Sequence, residues 1–143
     1  KEIINELLEN KVELFVDQII ANDIQDLEIA NDEHYLTEFH DLKLAIKIVE
    51  NIDEAILHIQ KYSSGHTEAV LTESDEIKNK FSKSLDSSVI FINASTRFTD
   101  GEMFGFGAEV GISTQKLHVR GPMGLESLTN ERYVVEGTGT IRK

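Results

Sequence analysis

Cysteine is absent from all 143 residues, and that absence excludes more chemistry than any other feature of the chain. Without a thiol there is no disulfide, no thiolate metal site and no cysteine nucleophile. Cations are scarce: 14 Lys and Arg stand against 26 Asp and Glu, for a formal charge of −12. Phosphate binding needs clustered cations, so the balance argues against a nucleic-acid partner. No apolar run approaches the roughly 18 residues of a membrane span, and no basic stretch leads into an apolar one at the N-terminus. We therefore expect neither a membrane helix nor a leader. The five histidines show no metal-ligand spacing; His34 and His40, for example, are six apart in an irregular segment, so no zinc site is expected. The chain opens on Lys1 without a methionine, which we read as a fragment or a processed chain.

Apolar residues make up 40% of the chain, enough to bury one core in one domain. Charge is uneven. Residues 1–54 hold 15 acids and 4 bases, the remainder 11 acids and 10 bases, and the plain reading is a solvated acidic face. Periodicity supplies the elements. Ile3, Ile4, Leu7 and Leu8 recur at helical spacing, and Val12, Leu14 and Val16 alternate as in a half-buried strand. Residues 21–37 are polar and acidic, expected as a loop with a short helical turn. Leu42, Leu44, Ile46 and Ile48 alternate with Lys43, Ala45 and Lys47, predicting a strand over 42–49. Asn51 followed by Glu54 is a helix-start signal for a stripe of Ile52, Ala55, Ile56 and Ile59. A short strand over 69–71 follows. Ser74 is placed to cap a helix whose face is Ile77, Phe81 and Leu85, and residues 89–92 read as a buried strand. Strand, helix, strand, helix, strand is the order of crossover units on a largely parallel α/β sheet. Near the end, residues 133–136 and 140–142 read as strand pieces around Gly137 and Gly139.

The stretch 93–124 breaks this regularity. It holds the only proline, Pro122, and Gly101, Gly105, Gly107, Gly111, Gly121 and Gly124 out of nine glycines. Irregular segments longer than about 15 residues are uncommon and are generally functional or disordered. Phe98, Phe104, Phe106, Val110 and Ile112 are too many apolar groups for a disordered linker, so an ordered, functional segment is expected. Gly105-Phe-Gly and Gly111 do not link a strand to a helix as a dinucleotide fingerprint requires, and they read as permitting tight turns.

Three runs in this stretch carry a resemblance: Asn-Ala-Ser-Thr-Arg-Phe-Thr-Asp over 93–100, the run from Phe104 to His118, and Arg-Gly-Pro-Met-Gly-Leu over 120–125. In this order and spacing they closely resemble the C-terminal part of the gamma-glutamyl phosphate reductases, members of the aldehyde dehydrogenase superfamily. The resemblance extends upstream through Tyr-Ser-Ser-Gly-His-Thr-Glu-Ala over 62–69 and the run 38–49. Residues 1 to about 30 carry no diagnostic motif. The resemblance implies a portion of a three-layer aldehyde-dehydrogenase-like α/β catalytic domain, with residues 1–104 in the substrate domain. Residues 105–143 would form a crossing segment and a C-terminal oligomerisation strand. It implies reduction of L-glutamyl 5-phosphate to L-glutamate 5-semialdehyde with NADPH, in proline biosynthesis and in the cytoplasm. Homo-oligomerisation and functional coupling to glutamate 5-kinase are also implied. The family's reaction runs through a cysteine that this chain lacks. An inactive fragment with no bound cofactor of its own is therefore expected; the alternative is a non-catalytic binding or oligomerisation module.

Candidate site residues follow. In α/β sheets ligands gather beyond the carboxyl ends of strands, and the strand 89–92 leads to Asn93, Ser95, Thr96 and Arg97. Amides, hydroxyls and one guanidinium suit a substrate bearing carboxylate and phosphate, since Arg grips either bidentately. The plainer alternative has Asn93 and Ser95 end the strand and Arg97 pair with Asp100. Glu38 matches by position the glutamate with which the superfamily holds the nicotinamide-side ribose, and a carboxylate can accept both hydroxyls of a ribose diol. The run Phe39-His40-Asp41 after it departs from the superfamily pattern, leaving open an ordinary exposed acid. His66 precedes a strand and is a candidate for the cleft or for a structural hydrogen bond. Lys116, His118 and Arg120 are candidates for domain or subunit contacts.

Overall fold

The computed structural model describes residues 1–142. Helix α1 (Glu2–Glu9) leads to β1 (Glu13–Val16), α2 (Gln18–Asp23), β2 (Glu28–Ile29), α3 (Asp32–Leu36) and β3 (Lys43–Ile46). Helix α4 (Ile52–Tyr62), β4 (Thr67–Val70), α5 (Asp75–Ser84) and β5 (Val89–Ile92) follow. Two short strands, β6 (Gly111–Ser113) and β7 (Gly121–Met123), close the order, with 3₁₀ turns at Thr96–Phe98 and Leu125–Leu128.

The strands form three small sheets, not one continuous sheet. A parallel sheet of order β2-β1-β3 has β1 at its centre; β4 and β5 pair in parallel; β6 and β7 pair antiparallel. Register in the first sheet puts Glu13 opposite Lys43, and their side chains close a 2.8 Å ion pair. The α/β alternation is as expected. The half-buried reading of β1 is corrected: Phe15 is as buried as Leu14 and Val16, because its ring stacks between His34 and Phe39 on the second face.

Each parallel sheet has its own core. Ile4 of α1, Leu14 and Val16 of β1 and Ile20 of α2 form one, edged by Leu7, Val12, Ile24 and Ile46. Ile56 of α4 with Phe81 and Leu85 forms the other, edged by Ile52, Ile59, Val70 and Ile90. Sequence caps start the helices as read. Asn51 Oδ1 accepts from the Asp53 and Glu54 amides, and Ser74 Oγ accepts from Ile77 N. Such caps are each worth about 1 kcal/mol.

Four expectations need correction. Residues 21–37 are more ordered than a loop. Asp17 caps α2 through a bond from Ile20 N, and its second oxygen accepts from Ile48 N, tying the helix start to the chain beyond β3. Asn31 and His34 form a reciprocal capping box on α3. The strand predicted over 42–49 is only Lys43–Ile46, and Leu42, Leu44 and Ile48 of its alternating face stay exposed. The stretch 93–124 contains the β6–β7 pair, whose three-residue strands are too short to carry a visible period. Residues 133–136 and 140–142 form no strand, so the oligomerisation strand expected at the C-terminus is not one in the single chain. A strand needs a ladder partner for its backbone groups, and none of the described elements supplies it here. Gly105 and Gly107 adopt φ of +81° and +71°, a turn conformation that side chains disfavour, as read from the sequence.

Candidate active-site cleft

Parallel pairing sets where the candidate residues fall. His66 leads into β4, which begins at Thr67 at one end of the β4–β5 sheet, while Asn93 leaves β5 at the other. Asn93 stays at that carboxyl end. Its Oδ1 accepts from Thr72 N at 2.8 Å and its Nδ2 donates to Thr72 O at 2.9 Å, so both halves of the amide are taken up in joining the ends of β4 and β5. Its φ of +54° is in the left-handed region, where Asn is better tolerated than most residues.

The chain then folds back. Ser95 Oγ accepts from Arg97 N and caps the 3₁₀ turn, and the turn returns along β4 until Thr99 Oγ1 lies 2.9 Å from Thr67 Oγ1. This reversal brings Thr96 beside His66. A cleft of about 430 Å³ is lined by Thr96, His66, Thr67 and Ser64 on one side and by Tyr35, Leu36, Thr37, Glu38 and Tyr62 on the other. Glu38, His66 and Thr96, read separately from the sequence, thus meet in one place. Asn93, Ser95 and Arg97 do not line it. Arg97 is exposed, and the pairing with Asp100 does not form: Asp100 Oδ1 accepts instead from the amides of Glu102 and Met103.

The far wall is held by a polar clamp between α3 and α4. Tyr62 Oη donates to Asp32 Oδ1 at 2.7 Å, and Lys61 Nζ bonds Asp32 Oδ2 at 3.0 Å and Tyr62 Oη at 2.7 Å. The Tyr62 hydroxyl, then Lys61, hold the Asp32 carboxyl below its ordinary value. Tyr35 packs on Tyr62 and edge-on to His58, and burial pushes its phenol up. Glu38 is exposed at the rim, with only His40 Nε2 near it at 3.8 Å.

Residues 62–69 and 93–125 carry the resemblance seen in the sequence, and the reversal now brings parts of both to one cleft. A gamma-glutamyl phosphate reductase of Caldanaerobacter subterraneus subsp. tengcongensis is 52% identical over 141 residues, covering 99% of this chain and 34% of that protein. One from Carboxydothermus hydrogenoformans is 53% identical over 136 residues, 95% of this chain and 33% of that protein. The crystal structure of gamma-glutamyl phosphate reductase from Thermotoga maritima superposes with a TM-score of 0.89 at 47% identity, over 99% of this chain and 34% of that one. The chain belongs to the gamma-glutamyl phosphate reductase family. It spans about a third of the length of the curated reductases it matches. The Saccharomyces cerevisiae reductase structure is a more distant likeness, with a TM-score of 0.53 at 32% identity over 72% of this chain and 28% of that one. No family model matches the chain.

Other hollows are present in this reductase segment, and two of them reach about 300 Å³. One, of about 320 Å³, lies between the ends of α4 and α5 and residues 114–120. There Asp86 accepts from Arg120 Nη1 at 2.9 Å and pairs with Lys116, while Arg120 Nε is buried with no hydrogen-bond partner among the described residues. Lys116, then Arg120, hold the Asp86 carboxyl below its ordinary value. The other hollow is apolar, about 300 Å³, lined by Phe91, Ala94, Phe98, Met103 and Phe104. Among the described residues no group of three or more His, Asp or Glu is placed to hold a metal, and no helix is long and apolar enough to cross a membrane. Sequence reasoning missed Tyr35, Tyr62, Thr67 and Thr99. The spacing of Thr67 and Thr99, 32 residues apart, gave no signal for a contact that only the reversed turn creates.

Proposed function

We propose that the chain supplies part of the substrate and cofactor cleft of an oxidoreductase that converts L-glutamyl 5-phosphate to L-glutamate 5-semialdehyde. The observation that carries this reading is the meeting of Glu38, His66 and Thr96 in one cleft, together with the reductase relatives. NADPH, when bound, supplies the hydride. Glu38 fits its part: an exposed carboxylate with no hydrogen bond among the described residues is free to accept both hydroxyls of the nicotinamide-side ribose. Thr96 and His66 offer a hydroxyl and a ring nitrogen to the substrate, and Arg97, exposed beside Thr96, is available to an outer carboxylate. The chain has no thiol to form the covalent acyl intermediate that this chemistry uses, so alone it oxidises no NADPH with the acyl phosphate.

The test uses the complete reductase containing this segment. It is run in reverse, from the semialdehyde with inorganic phosphate and NADP⁺, because the acyl phosphate is labile. Thr96→Val is expected to raise KM for the semialdehyde or phosphate about tenfold, the loss of one hydrogen bond of about 1.4 kcal/mol. Glu38→Gln should raise KM for NADP⁺ and leave that for phosphate unchanged. Wild-type constants in both variants would overturn the reading.

A further inference from the structure

His66 enters the cleft with a feature that the preceding reading does not use. Its Nδ1 lies 2.7 Å from Thr67 Oγ1, and Thr67 Oγ1 lies 2.9 Å from Thr99 Oγ1, so an imidazole and two hydroxyls form a line. Nε2, the other ring nitrogen, has no hydrogen-bond partner among the described residues. The protons of such a line can run in only two directions, because each hydroxyl has one hydrogen.

In one direction His66 Nδ1–H donates to Thr67 and Thr67 donates to Thr99. The Thr99 hydrogen then has no acceptor among the described residues, although the group is half-buried. In the other, Thr99 donates to Thr67 and Thr67 donates to Nδ1. Every hydroxyl hydrogen then has an acceptor within the chain, and the ring proton is on Nε2. Each direction leaves one donor over: here it is Nε2–H of a ring that lines the cleft, where a ligand can accept from it, whereas in the first it is the hydroxyl of half-buried Thr99, which does not line the cleft.

We propose that Thr99 and Thr67 form a hydroxyl relay that fixes His66 as the Nε2–H tautomer, presenting a hydrogen-bond donor to an anionic oxygen of the substrate. The inference rests on the reading of the cleft as the substrate site. It deepens that reading by giving His66 a sense: donor, not acceptor. The chemistry that needs a neutral donor there is a phosphoryl oxygen, which carries negative charge and offers only lone pairs. Glu38 is the only carboxylate among the residues lining the cleft, and it is exposed at the rim. Thr67 and Thr99 are positioning residues, acting through the ring.

Long-range ¹H–¹⁵N correlation spectra of the 143-residue chain at mildly alkaline pH, with His66→Gln to assign the signals, read the tautomer directly. The relay requires Nε2–H in the wild type; a ring protonated on Nδ1 overturns it. In the complete reductase the KM for inorganic phosphate in the reverse direction separates the two layers of the argument. His66→Ala and Thr67→Val should each raise it about tenfold with kcat changed less, and Thr67→Ser, which keeps the hydroxyl, should stay near wild type. If His66→Ala leaves KM unchanged, the cleft reading fails. If His66→Ala raises it and Thr67→Val does not, the relay alone fails. Should Thr67→Val not fold, the wild-type tautomer decides.

Discussion

Asn93 illustrates how a residue open to two readings in the sequence shows its hydrogen-bond partners only in the fold. Its place after a strand, ahead of Ser95, Thr96 and Arg97, suggested a substrate ligand. Its amide in fact bridges the two strand ends through Thr72, using donor and acceptor at once. An aspartate in its place would keep only the acceptor. Asn93→Ala removes both bonds and puts a side chain that disfavours φ of +54° at the turn. The expected loss is about 1–2 kcal/mol in urea unfolding, with Asn93→Gly losing less because glycine accepts that backbone. Equal losses in the two variants would show that backbone conformation plays no part. Thr96, three residues on, proved to be the member of this run that lines the cleft, and nothing local distinguished it. The reversal that places it depends on the Ser95 cap and on Thr67, and a sequence read one segment at a time does not show a contact across 32 residues.

Element starts were legible where a side chain does the capping. Asn51 and Ser74 open α4 and α5 as read, since an N-cap signal is local and complete within four residues. Asp17 carried the same kind of signal for α2 and was passed over, because the acidic stretch after it has no apolar period. Two-residue β2 and three-residue β6 and β7 are too short for alternation to show. The junction of α3 and α4 makes a pH-dependent prediction. His58, packed between Tyr35 and Tyr62, is held below its ordinary 6.5 by burial first and Lys47 next. Asp32 is lowered by Tyr62 and Lys61, and Glu54 by the Glu50 amide and Lys47. Each of these prefers its deprotonated form when folded, so each contributes stability above its unfolded value and loses it as pH falls. Lys47 and Lys61 are raised above 10.5 by their partners, and their contribution is lost as pH rises through the folded value. Stability should therefore hold level between about pH 6.5 and 10 and fall on both sides. Urea midpoints across pH would check this. Asp32→Asn should flatten the limb below about pH 4, and an unchanged limb would remove the clamp from the account.

At the scale of the whole molecule, the α/β alternation was legible from periodicity, whereas its division into separate small sheets was not. Strand pairing is a choice among partners, and β3 carried the pattern of a sheet interior while leaving Leu42, Leu44 and Ile48 in solvent. The C-terminal end raises the same question more sharply. Tyr133 is 83% and Val135 90% exposed, in a run of β-branched and aromatic residues that pairs with nothing among the described elements. Phe104 and Phe106 of the glycine-rich stretch are also exposed, stacked on each other. Backbone groups with strand propensity and no ladder are a template for another chain, and two copies satisfy one another at low cost in order. The charge of −12 opposes this weakly at physiological salt, where screening acts over about 8 Å. We expect the chain to form a homodimer at tens of micromolar, with residues 133–136 becoming strand only in the pair. Sedimentation equilibrium should return twice the 16.1 kDa monomer mass, and deletion of residues 133–143 should return the monomer. A wild-type chain that stays monomeric would defeat the idea. So would a dimer indifferent to the deletion, since the surface holding it would then lie elsewhere, on the uncovered face of β3 or around Phe104 and Phe106.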